Sequence, residues 1–190
     1  MEMPPRQRLT VDDWTAAAVT ALADGGLAAV AVESVAAGLR TTKGSFYWHF
    51  ANRDALLAAA LQRWERTETE DVIARVDDLP AGLARLRMLL TAALRHEYTA
   101  STGARVELAL QPTAAHPLVA PVLERVTRRR LDYLSAQFAE LGFGPDEARR
   151  RGLLAYTVYL GHAQLAHATP SAAPADLPAY VDTVISALAC

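Results

Sequence analysis

Cysteine is all but missing from this 190-residue chain: the single one, Cys190, is the last residue. That excludes an internal disulfide framework and a cysteine-rich zinc site, and leaves Cys190 as an inert terminal thiol. An excess of charge is missing too, with 19 Lys plus Arg against 21 Asp plus Glu and a net charge of -2. Binding of nucleic acid by bulk charge is therefore not expected, although a local basic surface is still open. Lysine is nearly absent, since 18 of the 19 cations are arginine and the one lysine is Lys43. The longest apolar run, Gly152 to Leu165, is too short to span a bilayer and carries His162 and Gln164. The N-terminal Met-Glu-Met-Pro-Pro-Arg lacks the apolar core of a secretion signal. A cytoplasmic location with no membrane partner is expected. There is no nucleophile elbow, phosphate-binding glycine loop or His-Glu-x-x-His pair, so neither an enzyme nor a cofactor or metal is implied. One alternative stays open, a small helical metal-binding protein or enzyme built from His96, Glu97, Glu107 and His116.

What is abundant is alanine, the best helix former, at 39 of the 190 residues. Apolar positions recur at three and four almost throughout, and no stretch alternates with period two, so the fold class is all-α. Thr10 is a candidate N-cap for a first helix with Trp14, Ala18, Ala21 and Leu22 inward and a stop at Asp24-Gly25-Gly26. A second helix is expected over about 32 to 38, with Val32, Val35 and Leu39 inward, and a very short third from about Lys43 to His49 after Thr41 and Thr42. Asn52 caps a long fourth helix reaching about Val76, with Asp54 complementing the helix dipole. Further segments follow at 81–99, 102–111, 117–141, 146–168 and 175–189, making nine helices. A small module over residues 1–52 is thus expected on a larger bundle over 53–190.

Two short helices joined by a tight turn have the geometry of a helix-turn-helix, whose second helix can enter the DNA major groove. Residues 40–53 hold three cations, one histidine and no acid, although residues 1–63 balance to zero. Phe46 and Phe50, four apart, can pack on Val35 and Leu39 and leave Lys43, Tyr47 and Trp48 outward. Small Gly44 and Ser45 let the backbone approach a duplex. Thr41, Thr42, Ser45, Tyr47 and His49 suit phosphate contacts, and Lys43 suits a guanine edge. Aromatic residues at helical spacing are often simply core, but Phe46-Tyr47-Trp48-His49 cannot all lie on one face.

The runs Val32-Glu33-Ser34-Val35-Ala36-Ala37, Thr42-Lys43-Gly44-Ser45-Phe46-Tyr47-Trp48-His49-Phe50 and Asn52-Arg53-Asp54-Ala55-Leu56-Leu57 closely resemble the DNA-binding module of TetR-type transcriptional regulators, over about residues 10–60. The resemblance implies a three-helix module and a divergent C-terminal domain that binds an effector and dimerises. Lys43 and Gly44 would face bases, while Thr42, Ser45, Tyr47, Trp48, His49 and Arg53 would hold the backbone. It further implies a homodimer on a palindromic double-stranded operator, acting as a repressor and released by a small-molecule effector. Three positions depart from the family pattern. Arg40 replaces a frequent turn glycine, Thr41 a small aliphatic residue, and Ala31-Val32 lacks the usual hydroxyl.

For the dimer interface, Leu153, Tyr156, Leu160, Ala163 and His167 form one stripe, with Gly161 and Ala166 allowing close approach; Leu177, Val181, Val184 and Leu188 form another. Ordinary internal core is the competing reading of both. For the effector, polar groups on apolar helices are the candidates: His96, Tyr98, Glu107, Gln111, Tyr133, Tyr156, Tyr159 and His162. Abundant aliphatic and aromatic residues around them suit an unidentified, largely apolar molecule. The triplets Arg128-Arg129-Arg130 and Arg149-Arg150-Arg151 lie three or four residues from Glu124, Asp132, Asp146 and Glu147, which predicts solvated ion-paired faces.

Overall fold

Thr10 caps the first helix, α1 (Val11–Ala29): its hydroxyl accepts the Asp13 N–H while its own N–H donates to the Asp13 carboxylate at 2.7 Å. These hydrogen bonds, the backbone one foremost, hold the Asp13 carboxyl below its usual range. This computed structural model describes residues 9–189; Cys190 and the side chains of His96 and Glu97 lie outside the described residues. The helical backbone of α1 breaks at Gly25 and Gly26, where the sequence predicts a stop, and one more turn follows to Ala29.

Next come α2 (Val32–Gly38) and α3 (Lys43–Phe46). The third helix is shorter than the expected span to His49. The N–H groups of both His49 and Phe50 return to the Phe46 carbonyl, which tightens the chain into a turn over Tyr47 to His49. Asn52 caps α4 (Arg53–Glu65) by accepting the Ala55 N–H at 2.9 Å. The rod continues through a wide π-helical turn (Arg66–Glu70) into α5 (Asp71–Asp77). The predicted segment 81–99 is split: α6 (Leu83–Leu94) ends where Arg95 turns extended, and α7 (His96–Thr99) is one turn. Then come α8 (Thr102–Leu110), α9 (Ala120–Glu140), α10 (Pro145–Ala168) and α11 (Leu177–Ala189). Taking α4 with α5, and α6 with α7, restores the nine expected segments, and no strand occurs among the described residues.

Two apolar cores organise these helices. The first joins Trp14, Leu22, Val35, Phe46, Leu57 and Trp64 of the N-terminal helices to Val106 and Leu110 of α8 and Val122 and Val126 of α9. It thus draws on residues from both sides of the expected boundary at 52. The second joins Leu86 and Leu90 of α6, Leu134 and Phe138 of α9, Ala155 and Ala163 of α10, and Val181 and Leu188 of α11. Helix α9 serves both cores with one stripe at a spacing of four: Val122, Val126, Arg130, Leu134, Phe138. The residue between the cores is an arginine.

Candidate nucleic-acid interface and ligand cavity

The turn between α2 and α3 is closed by two backbone bonds, Arg40 N–H to Ala37 O at 3.0 Å and Thr41 N–H to Ala36 O at 2.9 Å. This closure needs a left-handed residue, and Arg40 supplies it at φ 53, the one such non-glycine residue among those described. Gly142 fills the equivalent position after α9 at φ 92. Arg40 carries a cost of about 1 kcal/mol that glycine avoids.

Phe46 and Phe50 are buried as expected, with Phe46 edge-on to Trp14 at 5.5 Å and stacked on Phe50 at 5.6 Å. On the opposite face Tyr47 is 56% and Trp48 82% exposed. Thr42 caps α3 by accepting the Ser45 N–H, and Thr42, Gly44, Ser45, Trp48 and His49 line one open depression. A β-carbon on Gly44 would meet only the Thr42 hydroxyl, at 3.6 Å. The protein itself therefore does not demand glycine there.

Two of the cations have partners that local spacing does not reveal. Lys43 Nζ meets Glu33 Oε1 of α2, an exposed pair that holds the lysine above and the glutamate below their ordinary values. Arg53 donates from Nε to Val30 O at 2.7 Å and from one terminal nitrogen to Leu27 O at 2.5 Å, tying α4 to the end of α1. Its other terminal nitrogen lies 3.4 Å from Asp54. One N–H on each terminal nitrogen is left over for an outside acceptor.

A cavity of about 400 Å³ lies in the bundle between the π-helical turn, α5, α6, α9 and α10. Its walls are mostly apolar, with Val72, Ile73, Val76, Leu89 and Leu90 among them. Of the expected ligand residues, Tyr98, Tyr133, Tyr156 and Tyr159 line it. Glu107 stands directly behind, accepting from Tyr156 OH at 3.0 Å and Tyr159 OH at 2.8 Å. Gln111 does not belong there: it is exposed in the turn after α8, because the helix ends at Leu110 and Pro112 follows. His162 is not among the lining residues; it is buried against Leu94 O at 2.9 Å and stacked on Tyr180, and burial holds its imidazole below its usual range. His96 cannot be placed, its side chain lying outside the described residues.

Sequence reasoning missed the centre of this site. Arg130 is only 12% exposed and donates to both oxygens of Glu107, at 2.7 and 2.9 Å, to Thr69 Oγ1 at 3.1 Å and to Glu68 O at 3.0 Å. Burial opposes its charge, yet the Glu107 carboxylate together with Tyr159, Tyr156 and Tyr98 outweighs it and raises its affinity for the proton. The solvated-face reading of its triplet holds for Arg128, paired with Glu124, and for Arg129, paired across to Glu70. It fails for Arg130, whose stripe position among Val122, Val126, Leu134 and Phe138 was the available signal. In the second triplet Arg149 pairs with Asp146 and Arg150 with Glu147 on an exposed face, as predicted, whereas Arg151, also paired with Glu147, is only 18% exposed, donates to Leu188 O and lies over the Phe143 ring.

The expected dimer stripes divide. Tyr156, Ala163, Val181, Val184 and Leu188 are buried within the chain, because α11 lays its apolar face on α6 and α10. Leu153 and His167 remain exposed, and Leu160 partly so; Leu154 and Leu165 add apolar surface at 50% and 52% exposure. As for the metal alternative, no group of three or more His, Cys, Asp or Glu that could hold an ion occurs among the described residues. There Glu107 is occupied by Arg130, and His116 Nδ1 accepts the Leu118 N–H.

No helix among the described residues is long and apolar enough to cross a membrane. No curated protein matches the chain by sequence. Among solved structures it resembles, over 95% of its length and 96% of the other chain, a transcriptional regulator from Rhodococcus sp. Rha1, at 24% identity and a TM-score of 0.76. It also resembles AibR, solved in complex with isovaleryl coenzyme A and operator DNA (18% identity, 94% and 97% covered, TM-score 0.70). A third likeness is to the transcriptional regulator FadR from Bacillus subtilis, solved in complex with stearoyl-CoA (13% identity, 95% and 98% covered, TM-score 0.71). At these identities the likeness is one of fold. The N-terminal module is matched more specifically, residues 15–60 fitting the model of bacterial regulatory proteins of the tetR family. Residues 15–60, with the helix-turn-helix at α2 and α3, thus match the N-terminal module of the tetR family of bacterial regulatory proteins.

Proposed function

We propose that this regulator binds a palindromic DNA operator as a homodimer through α3 and is released by a small molecule held in the bundle cavity, acting as a cytoplasmic repressor. The observation that carries the reading is the outward surface of α3 and the turn after it: Lys43, Tyr47 and Trp48 are exposed beside the buried Phe46 and Phe50, on a segment without acids. Lys43 and Gly44 face bases, while Thr42, Ser45, Tyr47, Trp48, His49 and the remaining N–H groups of Arg53 hold phosphates. Lys43 exchanges Glu33 for DNA at small cost, because an exposed ion pair contributes little.

A second copy covers the exposed apolar face of α10 (Leu153, Leu154, Leu165), beside which α11 turns outward the small residues Ala179, Thr183, Ser186 and Ala187. Such a pair sets two α3 helices about 34 to 36 Å apart, on successive major grooves. The effector is a largely apolar molecule with Tyr98, Tyr133, Tyr156 and Tyr159 around it and Glu107 behind, held in a bundle of the fold in which AibR and FadR were solved with their own acyl-CoA ligands. Helix α8 links the two ends: Glu107 stands at the cavity, Val106 and Leu110 pack in the core of α1 and α4, and Arg105 pairs with Asp24 of α1 at 2.6 Å. An effector that favours a shifted α8 and a tilted α4 changes the spacing of the α3 helices and releases DNA by population shift.

Selection of bound duplexes from a random pool with the purified protein tests this reading. An enriched palindrome is expected; no enrichment would count against a sequence-specific regulator.

A further inference from the structure

Among the described residues, two charged groups that line the cavity have no ion-pair partner, Arg75 at its exposed rim and the half-buried Glu68. Glu107 and Arg130 neutralise one another: the carboxylate takes two guanidinium N–H groups and two tyrosine hydroxyls, and the guanidinium is also bound to Thr69 and Glu68 O. Glu68 is different. It lines the same cavity from the π-helical turn, half-buried, and no cation lies within ion-pair distance of its carboxylate among the described residues. Arg130 and Arg75 act on it only from further off, the Tyr98 hydroxyl favours its charge, and Glu107 repels it. Burial outweighs these attractions and pushes its carboxyl above the usual range.

The position of Glu68 is also built rather than incidental. Its carboxylate rests on the α-carbon of Gly103 in α8, so close that a β-carbon there would fall 2.0 Å from the carboxylate carbon. Trp64 Nε1 fixes that same residue by donating to Gly103 O at 2.9 Å. A glycine thus makes room for the acid beside an apolar chamber formed by α5 and α6.

Resting on the reading of this cavity as the effector site, we infer that its ligand is an amphipathic cation: a protonated amine that pairs with Glu68, on an apolar body lodged against Val72, Ile73, Leu89 and Leu90. A cation reaches Glu68 without displacing any protein partner. An anionic head directed to Arg130 would meet a single remaining N–H on a guanidinium whose charge Glu107 already offsets, with the carboxylates of Glu107 and Glu68 nearby to repel it. Arg75 stands at the exposed rim on α5, which makes an anionic ligand the competing occupant.

Calorimetric titration of the full chain, without DNA, with phenylbutylamine, phenylbutanol and phenylbutanoate separates the two. The amine is expected to bind at least tenfold more tightly than the alcohol and the acid, from one charge-assisted hydrogen bond. Glu68→Gln, its fold checked by circular dichroism, should bring the amine down to the alcohol's affinity; the wild-type ranking stands as evidence whether or not that variant folds. Tighter binding of phenylbutanoate or of isovaleryl coenzyme A than of the amine would overturn the inference, as would an amine preference that survives in folded Glu68→Gln. Because no DNA is present, such a failure leaves the regulator reading to be judged by the duplex selection alone.

Discussion

The two ion pairs at the functional ends of this chain live in opposite surroundings. In the N-terminal module the side chains of Lys43 and Glu33 are 52% and 67% exposed, whereas in the bundle those of Arg130 and Glu107 are 12% and 4% exposed. The first pair is hydrated and exchangeable, so its lysine is available to a partner from outside. The second is largely buried, and it holds α8, α9 and the π-helical turn together. Solvation, not the identity of the charges, separates a contact surface from a structural clasp.

The contrast is broken most severely at the buried end. Glu107→Ala should destabilise the fold by about 3–5 kcal/mol in urea unfolding, because Arg130 is left charged and unpaired. Glu107→Leu combined with Arg130→Met should recover most of that loss. A single-variant loss under about 1 kcal/mol would mean the pair is hydrated like the surface one. At the exposed end, Lys43→Ala should leave the melting temperature unchanged and weaken specific DNA binding roughly ten- to a hundredfold, with preference lost at one base pair in each half-site. Gly44→Ala should also melt as the parent does, since its β-carbon has room in the protein. It should bind duplex several-fold more weakly if the helix approaches the groove closely; unchanged affinity would remove Gly44 from the interface. Arg40→Gly should raise stability by about 0.5–1 kcal/mol by relieving the left-handed arginine.

A pH effect sharpens the same comparison. Burial holds the His162 imidazole below its unfolded value of 6.5, so it contributes stability that is full above pH 6.5 and is lost as pH falls through the folded value. The melting temperature should fall modestly on acidification from pH 7.5 to 5.5, and His162→Leu should flatten that fall. An equal fall in the variant would assign the effect elsewhere.

Much of the module was legible in sequence because its signals are local. Thr10 with Asp13, Thr42 before Lys43 and Asn52 before Arg53 mark helix starts within three residues, and the four-residue spacing of Phe46 and Phe50 marks the inner face. The cavity was only half legible. Tyr133, Tyr156 and Tyr159 stand out as polar groups on apolar helices, but Arg130 was absorbed into a triplet with plausible neighbours Glu124 and Asp132. Its partner, Glu107, lies on another helix 23 residues away. Glu68 sits in a polar run whose helical phase shifts at the π-helical turn, a change that no periodic pattern displays. The stripe of Val181, Val184 and Leu188 shows the opposite limit: periodicity tells that a face is apolar and not whether α6 or a second chain covers it.

The central claim, that the exposed face of α3 docks on DNA, is tested most directly by tryptophan quenching. Trp14 and Trp64 are fully buried and Trp48 is 82% exposed, so acrylamide should quench one fluorophore of the three. Saturating duplex carrying the selected palindrome should abolish that quenching by covering Trp48. Quenching that persists unchanged in saturated complex would contradict the account.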